Sequence, residues 1–412
     1  MFNSSAAHTI AAATALTLAV TLGATFAPSP CPAAATSAAS ARARDLGIPF
    51  DGTPGPNNAI TDVAGVLVGH TTLISGSGKL KVGEGPVRTG VTAVLPRGLD
   101  SLSNPVFAGW FSENGNGEMT GTTWVEESGF LEGPVMITNT HSVGVVRDAV
   151  IRWRVARGNA DASGYWWSLP VVAETWDGWL NDVNGFHVKP EHVFQALDSA
   201  RGGHVEEGSV GGGTGMICNG YKGGIGTASR KLDDKDGGYT VGVLVQCNYG
   251  TRDNLRIDGI NVGREIPVPE PYAFIPSDIA ERGSIIVVVA TDAPLLPHQC
   301  KALARRVTKG LARTGTSGSH SSGDIFLAVS TANPGGFSGD GPGEGGDDTR
   351  YDTLTFIPWG KIDPFFEAVV QATEEAVANA LIANGDMTGR DGHRSPALPR
   401  HRLAEILAAR PR

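Results

Sequence analysis

The most constraining stretch of the chain is Ile285-Ile286-Val287-Val288-Val289-Ala290, six consecutive apolar residues of which five are β-branched. Branching at Cβ crowds a helix but suits a pleated surface, and a short run without polar alternation fits a strand covered on both faces. The run therefore predicts a core strand. Pro294 closes it, because proline brings no N–H to a ladder. Gly283-Ser284 opens it. Glycine reaches backbone geometries closed to other residues, which suits a junction where the Ser284 hydroxyl attacks its own preceding carbonyl and splits the chain. Ser284 then carries both a nucleophile and a base, since a free α-amine has an unperturbed pKa of ~8. A Gly-Ser pair before a strand is most often a plain turn, and these residues alone leave that reading open.

The whole chain, 412 residues long, bounds the answer further. Charged residues are 18% and apolar residues 41%, a globular balance, while 56 glycines imply many tight turns or close backbone approaches. A turn-rich α/β protein is expected. The net charge of −9 leaves no basic surplus to neutralise phosphates, so nucleic acid is excluded as a partner. The first 45 residues stand apart. Thr9 to Ala27 is uncharged and rich in Ala, Leu, Val and Thr, and Ala24-Thr25-Phe26-Ala27 before Pro28 presents small residues for a signal peptidase. Residues 1–27 therefore read as a signal peptide and the protein as secreted or periplasmic, although Met1 to His8 holds no Lys or Arg. Residues 28–45 read as a flexible linker. After them no uncharged apolar run approaches the ~20 residues a membrane span needs. Cysteines stand at 31, 218, 247 and 300. With Cys31 in the linker, three remain, and neither a disulfide framework nor a zinc site follows; each reads as a small buried apolar residue.

The body begins near Leu46, without the repeating strand-helix-strand rhythm of a dinucleotide fold. Val63 to His70 and Val91 to Leu95 read as strands joined through a loop at Ser75-Gly76-Ser77-Gly78, and Gly109 to Glu127 as a surface loop or pocket rim. Val135 to Thr138 followed by Val143 to Val155, with Val146, Val150 and Trp153 in phase, is a strand-to-helix elbow. His141 in that elbow reads as a helix cap or an acid/base group. Leu169 to Asp182, a cluster of acids, aromatics and amides, reads as a loop after a strand. Gly211 to Gly215 and Gly223 to Thr227 miss the spacing of phosphate-binding loops, so close backbone packing accounts for them better. The Gly341 to Gly346 match to a dinucleotide loop follows no strand and sits among acids that repel phosphate. Tyr239 to Gln246 is a strand, and Asn248 at its end reads as a plain turn asparagine or as a donor to an oxyanion. Leu296, Cys300, Leu303, Val307 and Leu311 mark a helix ended at Gly315, and Asp363-Pro364 opens the last clear helix. From Asp386 the chain reads as a polar, Arg-rich, frayed tail. Between those helices, Ser322 and Asp324 are two apart at the head of the strand through Ser330, so they share a face. A carboxylate there fixes a second hydroxyl that relays protons for Ser284.

Taken together, Gly283-Ser284-Ile285-Ile286-Val287, Ala290 to Leu295, Ser322-Gly323-Asp324, Gly211 to Gly215 with Gly223 to Arg230, and Asn248-Tyr249-Gly250 resemble the DmpA family of aminopeptidases, which includes the β-peptidyl aminopeptidases. The resemblance spans Gly47 to Ala383. It implies a four-layer αββα sandwich of the DmpA and ornithine acetyltransferase type, similar to the N-terminal nucleophile hydrolases but differently connected. It also implies autocleavage between Gly283 and Ser284 into an α chain (46–283) and a β chain (284–412) that stay associated, in a homo-oligomer. Ser284 matches the nucleophile, Ser322 the second serine, Asn248 the oxyanion asparagine, and Asp324 stands where the family carries glutamate. Trp176 stands at a position where the family places a tyrosine.

The activity implied is that of a serine aminopeptidase acting on small peptides, aminoacyl amides or esters through an acyl-enzyme, with no cofactor and no metal. Asp324 and Glu132 are the candidate carboxylates for the substrate's free amine. An ornithine-acetyltransferase-like acyl transferase is the alternative, opposed by serine at a position where those enzymes use threonine. An inert secreted binding protein is the other, opposed by the joint presence of Ser284, Ser322 and Asn248.

Overall fold

The computed structural model describes residues 41–99, 104–157, 167–267, 283–335 and 353–409. The expected signal peptide, Cys31, most of the linker and the Gly341 to Gly346 segment lie outside the described residues.

Two sheets carry the fold. One has the order β1-β2-β5-β6, built from β1 (Leu67–Ser75), β2 (Val87–Leu99), β5 (Val135–Asn139) and β6 (Val171–Thr175). The other is six-stranded, with the order β4-β3-β12-β11-β10-β9: β3 (Val106–Ser112), β4 (Phe130–Leu131), β9 (Gly224–Lys231), β10 (Thr240–Asn248), β11 (Ser284–Thr291) and β12 (Gly323–Ser330). The short pairs Ile217–Cys218 with Tyr221–Lys222 (β7, β8) and Met387–Thr388 with Arg394–Ser395 (β13, β14) stand apart from them.

The expected core strand lies at the heart of the larger sheet as β11, every residue of it buried. Its side chains alternate between two cores. Ile285, Val287 and Val289 face the helices Pro297–Arg313 and Asp363–Ile382. Ile286, Val288 and Ala290 face the smaller sheet, meeting Val94, Ile137, Val171 and Ala173. On the far side of that sheet, helices Val143–Ala156 and Pro190–Asp198 cover Val91, Leu95, Met136 and Val172. The layers are therefore helix, sheet, sheet, helix. β11 and β12 run parallel, which requires a crossover, and helix Pro297–Arg313 supplies it while burying Cys300, Leu303, Val307 and Leu311.

Several expectations are corrected. The first strand starts at Leu67, because Ile60–Asp62 is a 3-10 turn and Val63 only follows it. Gly109 to Ser112 completes β3 and Thr122–Ser128 is a helix; the strand was obscured by Gly109, where a Cβ would lie 2.2 Å from Lys301 N of the crossover helix. Cys218 and Cys247 are joined in a disulfide, brought together by folding across 29 residues of chain, whereas Cys300 is buried and free. The linker reading ends early, since Ala43 is fully buried and Arg44 Nε lies 2.8 Å from Glu375. The tail is also packed: Leu398, Leu403 and Ile406 are buried around helix Arg400–Ala408, a pattern hidden by the arginines between them. The reading of Gly211 to Gly215 as closely packed backbone agrees with the fold. A Cβ on Gly212 would lie 2.3 Å from Gln246 Oε1 on one sheet and 2.7 Å from Ile137 O on the other.

Because Ile286 fills the layer between the sheets with no exposed surface, Ile286→Ala is expected to lower unfolding free energy by about 2–5 kcal/mol. A denaturant midpoint unchanged from wild type would contradict this placement.

Candidate active site

The register of three strands assembles the site. Asn248, the last residue of β10, lies opposite Ser284, the first residue of β11, and Ser284 in turn lies opposite Gly323 of β12. Residues directly opposite on an antiparallel pair project to the same face, so the Asn248 amide and the Ser284 hydroxyl stand side by side. The Gly323 N–H donates to Ser284 Oγ at 3.3 Å. The two residues flanking Gly323 bond to each other: Ser322 Oγ donates to Asp324 Oδ1 at 2.6 Å. Ser284, Asn248, Ser322 and Asp324 are all buried.

Glycine at 283 has a different cause from the one expected. The residue is not in the left-handed region; space is what excludes other residues, since a Cβ there would lie 2.7 Å from Asn248 O and from Tyr249 Cα. The same holds at Gly323, where a Cβ would meet Asn116 O and Gly117 Cα at 2.6 Å.

Asn248 is tightly oriented. The Ile217 N–H donates to its Oδ1 at 2.8 Å, and its Nδ2 donates to the Trp176 carbonyl at 2.9 Å. An amide has two N–H bonds, so one remains for a substrate oxygen. Trp176 thus reaches the site through its backbone; its ring, half-buried, covers Gly178, where a Cβ would lie 2.6 Å from it.

Asp324 is clamped from both ends of its residue. Asn114 Nδ2 donates to Oδ2 at 3.0 Å, and the Asp324 N–H donates to Asn114 Oδ1 at 2.8 Å. Burial pushes the Asp324 carboxyl above the usual carboxylate range, while hydrogen bonds from Ser322, Asn114 and the backbone at Ile285 pull it back.

Residues 58–395 match the profile of Peptidase family S58. The chain belongs to peptidase family S58. Among its relatives, the β-peptidyl aminopeptidase BapA of Sphingosinicella microcystinivorans is 54% identical over 375 residues, covering 89% of this chain and 91% of that one. The BapA of Sphingosinicella xenopeptidilytica is 47% identical over 381 residues, covering 90% and 91%. Among solved structures, the L-aminopeptidase D-Ala-esterase/amidase of Ochrobactrum anthropi, described as a variant of the Ntn hydrolase fold, superposes with a TM-score of 0.80 at 45% identity, covering 89% of this chain and 98% of that one. This S58 peptidase is a serine aminopeptidase with the N-terminal nucleophile hydrolase fold.

Glu132 is not part of the S58 site. It follows β4, which pairs with β3 at Val106 and Phe107, and Phe107 in turn faces Ser330 at the far end of β12. From Asp324 to Ser330 the strand spans about 20 Å. There Glu132 accepts a hydrogen bond from Trp124 Nε1 at 3.0 Å. The carboxylate that does approach is Glu174, assigned to a loop by its neighbours but in fact buried within β6. A Cβ on Gly117 would lie 3.0 Å from Gly323 Cα and 3.3 Å from Glu174 Oε1, so Gly117 lies against both this carboxylate and the strand head. Glu174 accepts from the Glu118 N–H at 3.0 Å and from the Thr140 hydroxyl, and burial raises its pKa. Among the described residues no Lys or Arg pairs with it. The acid-rich Ala173 to Asp177 segment was the signal in the sequence. Asn114 had none, since nothing local links it to Asp324, 210 positions away. His141 is an exposed helix-entry residue whose N–H is capped by Asn139 at 3.0 Å.

Asp324→Asn keeps the side chain's size and removes the charge that orients Ser322. Turnover of an aminoacyl p-nitroanilide is expected to fall by about 10²–10⁴ with the melting curve unchanged. Wild-type turnover in this variant would make Asp324 a bystander. Since protonation removes the same acceptor, activity should be lost on acidification at a pH above the ordinary aspartate range.

Proposed function

We propose that this serine aminopeptidase matures by cutting itself between Gly283 and Ser284, and that it then releases N-terminal β-amino acid residues from short peptides and aminoacyl amides. The observation that carries the reading is the Ser284 hydroxyl at a strand head, beside the Asn248 amide and the Ser322–Asp324 pair. In maturation, Ser284 Oγ attacks the Gly283 carbonyl carbon and the C–N bond breaks, leaving an ester. Water hydrolyses that ester, giving a Gly283 carboxylate and a free Ser284 amine. In turnover the Ser284 amine takes the proton of its own hydroxyl, and Oγ attacks the amide carbonyl after the substrate's first residue. The free Asn248 N–H stabilises the oxyanion, the departing amine takes the proton, and water releases the acyl group. Ser322, oriented by Asp324, passes protons between these partners.

Glu174 receives the substrate's ammonium group. A buried carboxylate with no Lys or Arg paired to it is costly, and an incoming ammonium supplies the missing charge. The preference for β-residues is supported by the two relatives at 54% and 47% identity, both named for that activity. Export is proposed alongside: the leader ends at Ala27, and the Cys218–Cys247 disulfide suits an oxidising compartment. The α and β chains stay together because β11 is hydrogen-bonded between β10 of one chain and β12 of the other.

Wild type is expected to run as two chains and Ser284→Ala as one, with the smaller wild-type chain beginning Ser-Ile-Ile-Val on N-terminal sequencing. A start at Thr251 would move the nucleophile to the Gly250-Thr251 junction. Activity should rise with pH through the Ser284 amine pKa, ~8 when unperturbed, because the amine accepts protons only when neutral. Glu174→Gln is expected to raise KM for free-amine substrates about 10- to 100-fold, while hydrolysis of an N-acetylated analogue, poor in both enzymes, stays the same. An unchanged KM would remove Glu174 from substrate recognition.

A further inference from the structure

One buried cation takes no part in the chemistry described so far. Lys222 is fully buried, and among the described residues no carboxylate lies within ion-pair distance of it. Its Nζ donates to three carbonyl oxygens instead: Gly223 at 2.7 Å, Met216 at 2.8 Å and Gly213 at 3.4 Å. Burial pulls its pKa down to about 7. An unpaired ammonium in such a place is destabilising, so its position calls for a function.

The Met216 carbonyl and the Ile217 N–H belong to one peptide unit. Lys222 donates to the oxygen of that unit, and its N–H donates to Asn248 Oδ1 at 2.8 Å. A cation drawing on the carbonyl makes the N–H of the same peptide a stronger donor, and hydrogen bonds in series strengthen one another. Since an N–H can only donate, the bond also decides which way the Asn248 amide points: Oδ1 faces Ile217, and Nδ2 faces the Trp176 carbonyl and the Ser284 side of the strand pair. The Cys218–Cys247 disulfide ties the same loop to the residue before Asn248.

We propose that Lys222 is a positioning residue for the reaction: through the Met216–Ile217 peptide it orients and polarises the Asn248 amide toward the oxyanion. The inference rests on Asn248 serving the oxyanion, as proposed above.

A double-mutant cycle tests it, with kcat measured per processed chain. Asn248→Ala is expected to lower kcat about 10²–10³-fold. Lys222→Met, of similar length and without charge, should lower kcat about 10- to 100-fold with KM within about twofold, and should cause no further loss in the Asn248→Ala background. Affinity for an aminoalkyl boronic acid, which forms a tetrahedral adduct on Ser284, should fall in parallel with kcat, while affinity for the released amino acid should not. If Lys222→Met does not fold, Lys222→Gln carries the cycle, because it removes the charge and keeps two N–H donors for the carbonyls on a side chain one atom shorter. Losses that multiply in the double variant, a loss confined to KM, or wild-type kcat in the Lys222 variant would each overturn the proposal and leave the Asn248 reading standing. Wild-type kcat in Asn248→Ala would instead remove that reading, and the Lys222 inference with it.

Discussion

Backbone hydrogen bonding among β10, β11 and β12 is the constraint on which the site depends. It sets Asn248, Ser284 and Gly323 abreast at one edge of a sheet whose central strand is buried on both faces. A slip of one residue would exchange the faces of β11, turning Ile286 and Val288 out of the layer between the sheets and carrying the Ser284 hydroxyl away from Asn248. Packing on two sides forbids the slip. The same apolar contacts that stabilise the domain therefore hold the site's register, and no separate scaffold is needed.

Close approach of backbones is the second constraint. Gly283 against Asn248, Gly323 against Gly117, and Gly212 between the two sheets each stand where a Cβ would be within 3.0 Å of another chain segment. Removing side chains there lets strand heads and loops converge on Ser284 more tightly than side-chain packing would allow. Among the described residues, the glycines record such contacts as well as turns of positive φ.

The charges near the site are held by hydrogen bonds in place of ion pairs. Asp324 has Ser322 and Asn114, Glu174 has Thr140 and the Glu118 N–H, and Lys222 has three carbonyls. Elsewhere the fold does the opposite: buried Arg230 meets buried Glu375 at 2.8 Å, with Arg44 on the same carboxylate. An ion pair satisfies a charge and ends its influence. A hydrogen-bonded charge keeps its field, and groups with pKa values displaced by burial gather where a field is useful.

The core strand, the main helices and the Ser322–Asp324 pair were legible in the sequence because each depends on a short period: continuous burial, a repeat of three to four, or an offset of two. Periods of that kind are local, and local residues dictate them. Glu174 was half legible, its acid-rich segment visible but its strand unrecognised. The Cys218–Cys247 disulfide, the Asn114 clamp, the Lys222 path and the placement of Glu132 at the wrong end of the sheet were decided only by tertiary structure. Each turns on which strands become neighbours and at which end, and that follows from burying two sheets against each other along the whole chain, a balance no short window of sequence contains.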